Sequence, residues 1–404
     1  MTARHTLSKP AAFRLQASII LFFLASSSAP TPLWSVYQAA WGFSPVTVTI
    51  VFGIYAVAVL AALLVVGSLS DYVGRRPVLL AATLLQATAM AMFATAQGVW
   101  TLLLARVVQG LATGAAVGAV GAGLLDIDRD KGTIANAVTP MLGTATGGVL
   151  SALLAQFLPW PTTLVYVVLG TIFLAQAAGV VLMPESAARR PGAARSLRPH
   201  IRLPPAVRGA ALIAAPALVA TWSLVGFYAA LGPAVARRLM GSSSLLVGGL
   251  LLFVMAGSGA LTVLVSRARP ARAVLLFGSG ALIAGVALSL AGITGGSPLL
   301  FFAGAMIAGA GFGAGFQGAL RTVLPLAAAS ERAGVLSLLY MIAYLSMGVP
   351  VVFAGLRVVH GGGLFTASRE YGVAVIALAA AALLGTLVRR PAAAPVAVLA
   401  PARR

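Results

Sequence analysis

Few side chains in this sequence can transfer protons, bind metals or attack a substrate: among 404 residues there are seven carboxylates, three histidines and no cysteine. Without Cys there is no disulfide, thiolate metal site or cysteine nucleophile. His5, His200 and His360 are far apart in the chain, so neither a metal site nor a cofactor is expected. The acids are Asp71, Asp126, Asp128, Asp130, Glu185, Glu331 and Glu370, and each falls at or beyond the end of a long apolar run. The one charge inside such a run is Arg106. A lone guanidinium in hydrocarbon costs at least ~2.5 kcal/mol even on a lenient insertion scale. Arg106 therefore has to face an interior with partners: either backbone carbonyls and Gln109 in a structural role, or a substrate. An arginine without a buried acid favours an anionic or neutral ligand by charge complementarity. A membrane enzyme would need a buried His, Cys, Asp or Glu constellation, and this census leaves little to build one.

The elements that must position these groups are apolar. The chain is 60% hydrophobic and 8% charged, with a mean hydropathy of +1.02, whereas a soluble domain carries roughly 25% charged residues. There is too little polar surface to cover a water-soluble fold, so the solvent is lipid. Runs of about twenty apolar residues suffice to cross a ~30 Å hydrocarbon core as helix. Twelve are expected, at 17–37, 46–68, 78–96, 100–125, 134–158 and 162–183, then 210–231, 244–265, 273–293, 299–320, 335–356 and 371–388. The first is read as a span and not as a cleavable signal peptide, because its apolar pattern continues through Trp34 and Tyr37.

A net charge of +20 raises the question of a nucleic-acid partner. The basic residues sit between apolar runs instead of on one folded face, so none is expected. With both termini in the cytoplasm, only Arg237, Arg238, Arg357 and Arg369 fall in outside loops, and Arg106 lies within a span; the other Lys and Arg of the 27 are inside. That bias sets the orientation by the positive-inside rule. The expected place is the bacterial cytoplasmic membrane, and the expected state a monomer.

The basic, proline-containing stretch 184–208 divides the chain into two halves of six spans. The expected organisation is a cytoplasmic segment 1–16, a bundle 17–183, the linker 184–208, a second bundle 209–388 and a low-complexity tail 389–404. The segment after the second span of each half repeats: Ser70, Arg76, Val78, Leu79 and Leu80 align with Ser266, Arg272, Val274, Leu275 and Leu276. Position and spacing fit a duplicated six-helix unit.

GSLSDYVGRRP, with Gly67, Asp71, Gly74, Arg75 and Arg76, resembles the signature loop between helices 2 and 3 of the major facilitator superfamily. LLLARVVQGLATG resembles the family's R-x-x-Q-G motif through Arg106, Gln109 and Gly110. GTATGG resembles the antiporter motif G-P-x-x-G-G through Gly143, Gly147 and Gly148, but has Thr144 where the family has proline, which leaves the direction of transport open. Pro184 and Glu185 resemble the short P-E-[ST] signature. The likeness covers nearly the whole chain.

That resemblance implies an all-α membrane fold of two pseudo-symmetric bundles that alternate access to a small-molecule site near the midplane; protons are the expected coupling ion, carried by Asp71, another edge acid or the substrate's own carboxylate. It implies that Asp71 locks the outward-facing state by meeting Arg75, Arg76 and the start of helix 11 near Ala333 and Gly334, with Asp126 as a further member or a solvated loop acid. Cavity candidates are Trp34, Tyr37, Tyr55, Asn136, Trp222, Tyr228, Gln317, Tyr340 and Tyr344, the last two on one helix face. Lipophilic-compound export and organic-anion transport both fit. A channel or lipid scramblase is the alternative, and would need a continuous hydrophilic path.

Overall fold

A computed structural model describes residues 6–199, 201–328 and 331–388. His5, His200 and the tail 389–404 lie outside the described residues. The first half holds α1 (Lys9–Ser28), α2 (Trp34–Trp41), α3 (Pro45–Val66), α4 (Ser70–Val73), α5 (Arg75–Ala94), α6 (Val99–Ile127), α7 (Arg129–Phe157) and α8 (Leu164–Val181). The linker carries a short α9 (Ala193–Ser196). The second half holds α10 (Pro205–Ala230), α11 (Gly232–Met240), α12 (Leu245–Ser266), α13 (Ala271–Gly295), α14 (Pro298–Val323), α15 (Arg332–Arg357) and α16 (Gly363–Val388).

Helix runs almost unbroken from Arg332 to Val388, 57 residues, or roughly 85 Å at 1.5 Å per residue, which no ~30 Å hydrocarbon core accommodates in one crossing. The chain turns at His360 and at Gly361, whose φ of 106° suits only a residue without Cβ. Two spans result, and with the other ten apolar helices the chain crosses twelve times. The face carrying the helix 2–3 loop and the linker is called here the linker face.

Four expected spans need correction: span 210–231 begins at Pro205, which puts Arg208 in helix and ends the linker at 204. Span 17–37 begins at Lys9 and breaks at 29–33, because Pro30 and Pro32 have no N–H to give a helix. Span 134–158 begins at Arg129, where Asp128 caps the helix by accepting from Lys131 N at 3.0 Å. Span 371–388 begins at Gly363, which brings Arg369 and Glu370 into helix. Hydropathy marks where a helix is apolar, and these ends are helical but polar.

The halves meet along α3 against α15 and α7 against α12. Small residues let the backbones approach. A Cβ on Gly348 would lie 3.2 Å from that of Ala56, and one on Gly249 would lie 2.8 Å from the Gly148 carbonyl. One continuous core joins Tyr55, Val59 and Met141 of the first half to Leu224, Leu252 and Tyr344 of the second. Direct polar bonds between the halves sit at the face opposite the linker. Arg237 Nη1 donates to Ser35 Oγ at 2.7 Å, and Gln156 Oε1 accepts from Ser244 Oγ at 2.7 Å and Leu245 N at 3.0 Å. At the linker face the bonds run through the linker: Ser68 Oγ to Ser196 O at 3.2 Å, Arg190 N to Tyr72 O at 2.8 Å and Arg202 N to Gly334 O at 3.3 Å.

Candidate functional site

The break in the first span explains the most unusual residue of the chain. Pro30 has no N–H for the carbonyl of Ser26 four residues back. Thr31 N turns to Ser28 O and Leu33 N to Pro30 O, which frees the carbonyls of Ser27 and Ala29 as well. Unsatisfied carbonyls at membrane depth cost several kcal/mol each. Three side chains take them up. Gln109 Nε2 donates to Ser26 O at 3.0 Å, Arg106 Nη1 to Ser27 O at 3.0 Å and Ser151 Oγ to Ala29 O at 2.6 Å. Arg106 and Gln109 are three apart on α6 and so share a face; Arg106 Nη1 also donates to Gln109 Oε1 at 2.8 Å.

The guanidinium is fully buried inside the first half. Its carbon lies 5.2 Å from the ring centres of Trp34 and Tyr55 and 5.7 Å from that of Phe93, within cation–π range. Its Nε and Nη2 have no partner among the described residues. α6 approaches α3 closely here because Gly110 and Gly114 face the Tyr55 and Val59 carbonyls. Gly143 and Gly147 of α7 lie against the Leu21 and Ala25 carbonyls of α1, whereas Gly148 faces Leu252 of the other half. Thr144 returns its hydroxyl to Pro140 O at 3.1 Å. α7 thus does contain a proline, Pro140, one turn nearer the linker face than the antiporter motif would put it.

At the linker face Arg75 is the hub. It is paired with Asp71, and it reaches Asp126 at 3.2 Å and Ser70 Oγ at 2.8 Å. Asp126 also accepts from Ser186 Oγ at 3.0 Å. Gly74 turns the chain at a φ of 101°, with the Glu185 carboxylate packed where a Cβ would be. That carboxylate caps the start of α5, accepting from Arg75 N at 2.8 Å and Arg76 N at 3.1 Å. Gly67 lies against α6, its carbonyl 2.6 Å from where a Cβ on Gly118 would sit. Asp71 does not hold the start of α15 here: its partner is Arg75, and Gly334 bonds to the linker. Glu185→Ala is expected to destabilise the protein by about 1 kcal/mol, a typical N-cap loss. The first turn of α5 should then exchange its amide hydrogens faster, while α13 does not change.

The expected cavity residues separate into groups. Tyr37 turns from the seam and donates to Tyr166 OH at 3.0 Å, beside the stacked Phe93. Tyr228 bonds Ser289 Oγ at 2.7 Å inside the second half. Asn136 ties α7 to Gly121 O at 2.9 Å, and Gln317 accepts from Ser266 Oγ at 3.0 Å. Trp222, Tyr340 and Tyr344 come together. The Trp222 ring lies 5.0 Å from Tyr344 and 5.2 Å from Phe316, and Tyr340 lies 6.3 Å from Tyr344. Phe312, 6.0 Å from Trp222, completes the cluster. Tyr55 belongs to the same core as Tyr344, so it joins this cluster to the Arg106 box across the seam. Trp222 Nε1 is buried with no acceptor among the described residues. Phe312 and Phe316 were not among the expected residues. Their spacing of four within a glycine-rich run is the signal that places them on one face.

Twelve apolar spans, paired halves meeting through small residues and an ion-paired loop around Arg75 define a polytopic transport protein. The model of the Major Facilitator Superfamily matches residues 17–351, and the chain belongs to that family. Among solved structures, the chain is similar to a mutant of the nucleoside transporter NupG, with a TM-score of 0.72 at 12% identity, over 93% of this chain and 99% of that one. It is also similar to the human organic anion transporter MFSD10 (TETRAN), with a TM-score of 0.65 at 16% identity, over 93% of this chain and all of the other. At such identities the likeness is one of fold.

Proposed function

We propose that this transporter is a secondary active carrier of a small neutral or anionic molecule with a flat apolar body. The substrate is held at the seam against Trp222, Phe312, Phe316, Tyr340 and Tyr344. The observation that carries this reading is the aromatic cluster with an indole N–H unpaired among the described residues and no carboxylate among its members; Glu370, the acid inside α16, is paired with Arg357 at 2.8 Å. Aromatic faces alone would attract a cation by about 0.5–2 kcal/mol. Desolvating that cation costs several kcal/mol with no acid to offset it, so a neutral or anionic substrate is favoured. A coupling proton then travels on the substrate's own acid or on an edge carboxylate such as Asp71. The two bundles, 17–183 and 209–388, rock about the seam. The linker face and both termini lie in the cytoplasm of a bacterial cell, on the positive-inside argument. Bonds between the halves at the opposite face support a conformer closed to the outside.

Transport in oriented proteoliposomes under an imposed pH gradient tests this, with aromatic carboxylates and nucleosides beside lipophilic cations. Proton-driven movement of the first two classes supports the reading. Movement of the cations alone overturns it. Trp222→Phe keeps the ring and removes the N–H, and is expected to raise KM about fivefold for one lost hydrogen bond of ~1 kcal/mol. Trp222→Ala is expected to abolish uptake.

A further inference from the structure

A second site lies away from the seam, at the linker face of the first half. Where the start of α1 meets the turn between α6 and α7, the chain forms a groove of about 310 Å³ lined by Lys9, Pro10, Phe13, Arg14, Ile127, Asp128 and Lys131. Its floor is apolar and its rim is basic, three cations against one carboxylate. That carboxylate is already committed, since Asp128 Oδ1 accepts from Lys131 N at 3.0 Å and Oδ2 pairs with Lys131 Nζ at 3.3 Å. These partners hold Asp128 below the usual carboxylate range, the backbone N–H contributing most. α1 adds its own positive end: the Ser8 side chain makes no capping bond and the first turn has no acid. The apolar part of the span starts at Ala17, which sets Lys9 and Arg14 at headgroup depth.

We infer that this groove binds the phosphodiester headgroup of an anionic phospholipid, with Lys9 and Arg14 at the phosphate, Lys131 bridging between it and Asp128, and Phe13 and Ile127 against the glycerol and upper acyl chain. A floor of apolar side chains beneath cations at the membrane surface suits a lipid more than a free anion. The pattern is local to the first half, and so it does not depend on the substrate reading.

The test is native mass spectrometry of the full-length protein released from nanodiscs of phosphatidylglycerol and phosphatidylcholine, with inorganic phosphate as a third arm. The expected result is selective retention of phosphatidylglycerol. Lys131→Gln combined with Arg14→Gln should weaken retention at least about tenfold, as expected for two lost surface cations. Lys9→Arg with Arg14→Lys and Lys131→Arg keeps the charge and should retain the lipid as the wild type does, while unchanged thermal unfolding of the charge-removed variant shows that its loss is not one of insertion or folding. Equal retention by the wild type and the charge-removed variant would overturn the site. Displacement of the lipid by millimolar phosphate would assign the groove to a free anion and overturn the lipid reading.

Discussion

Arg106→Ala is expected to lower the stability of the detergent-solubilised protein by about 3 kcal/mol and to abolish transport together with it. The arithmetic has two sides. Lost are two charge-assisted hydrogen bonds, worth about 1.5–3 kcal/mol each, and the stacking on Trp34, Tyr55 and Phe93 at about 0.5–1 kcal/mol per ring. Regained is the desolvation of Nε and Nη2, which no partner now offsets, at about 1–3 kcal/mol each. The balance stays unfavourable because the Ser27 carbonyl is then orphaned at membrane depth. Thermal unfolding beside a transport assay checks it. Lost transport at unchanged stability would mean that the guanidinium contacts substrate instead of the broken span. A double-mutant cycle sharpens the reading. Pro30→Ala restores an N–H that can reach the Ser26 carbonyl, so Gln109→Ala should cost less in that background than alone.

Gly110→Val is expected to be at least as damaging, costing about 3 kcal/mol or preventing stable insertion. A Cβ at this position would stand 2.6 Å from that of Ala58, 2.8 Å from the Tyr55 carbonyl and 3.1 Å from the Val59 nitrogen. Two of these atoms are backbone of α3, which cannot rotate aside as a side chain does, so α3 and α6 must part. Parting them also moves Tyr55 from Arg106. Gly280→Ala is the control: a Cβ there meets nothing within 4 Å, so it should be neutral or slightly stabilising. Yield and thermal unfolding of both variants decide. Equal behaviour of the two would show that α3 and α6 are not held as tightly as their backbones suggest.

The glycine at 110 and its motif partners were legible as a pattern, but what the pattern does was not. R-x-x-Q-G reads equally as a ligand-binding arginine or a structural one, since nothing local says which carbonyls lie within 3 Å of it. The carbonyls are those of Ser26 and Ser27, some eighty residues earlier, and they are free only because Pro30 and Pro32 break the helix between them and Tyr37. Tyr37 and Tyr228 turn into their own halves and away from the aromatic cluster for a related reason. Both are polar-tipped rings near span ends, and which side of the helix faces the seam depends on packing that mean hydropathy does not carry. Phe312 and Phe316 point the other way: unremarkable in the sequence, they are brought to Trp222 by the crossing of α10 and α14.

The sequence by itself determined the solvent, the twelve crossings, the family and the loop around Arg75, because apolar length, charge placement and short-range spacing are properties of neighbouring residues. Only the tertiary structure decided that Arg106 is enclosed by the first half, that Glu185 closes the start of α5 from the start of the linker, and which aromatic rings share the seam. Each of these depends on atoms far apart in the chain meeting within hydrogen-bond or ring-stacking distance. In a membrane, where helices are apolar on nearly every side, periodicity does not reveal which face will make the contact.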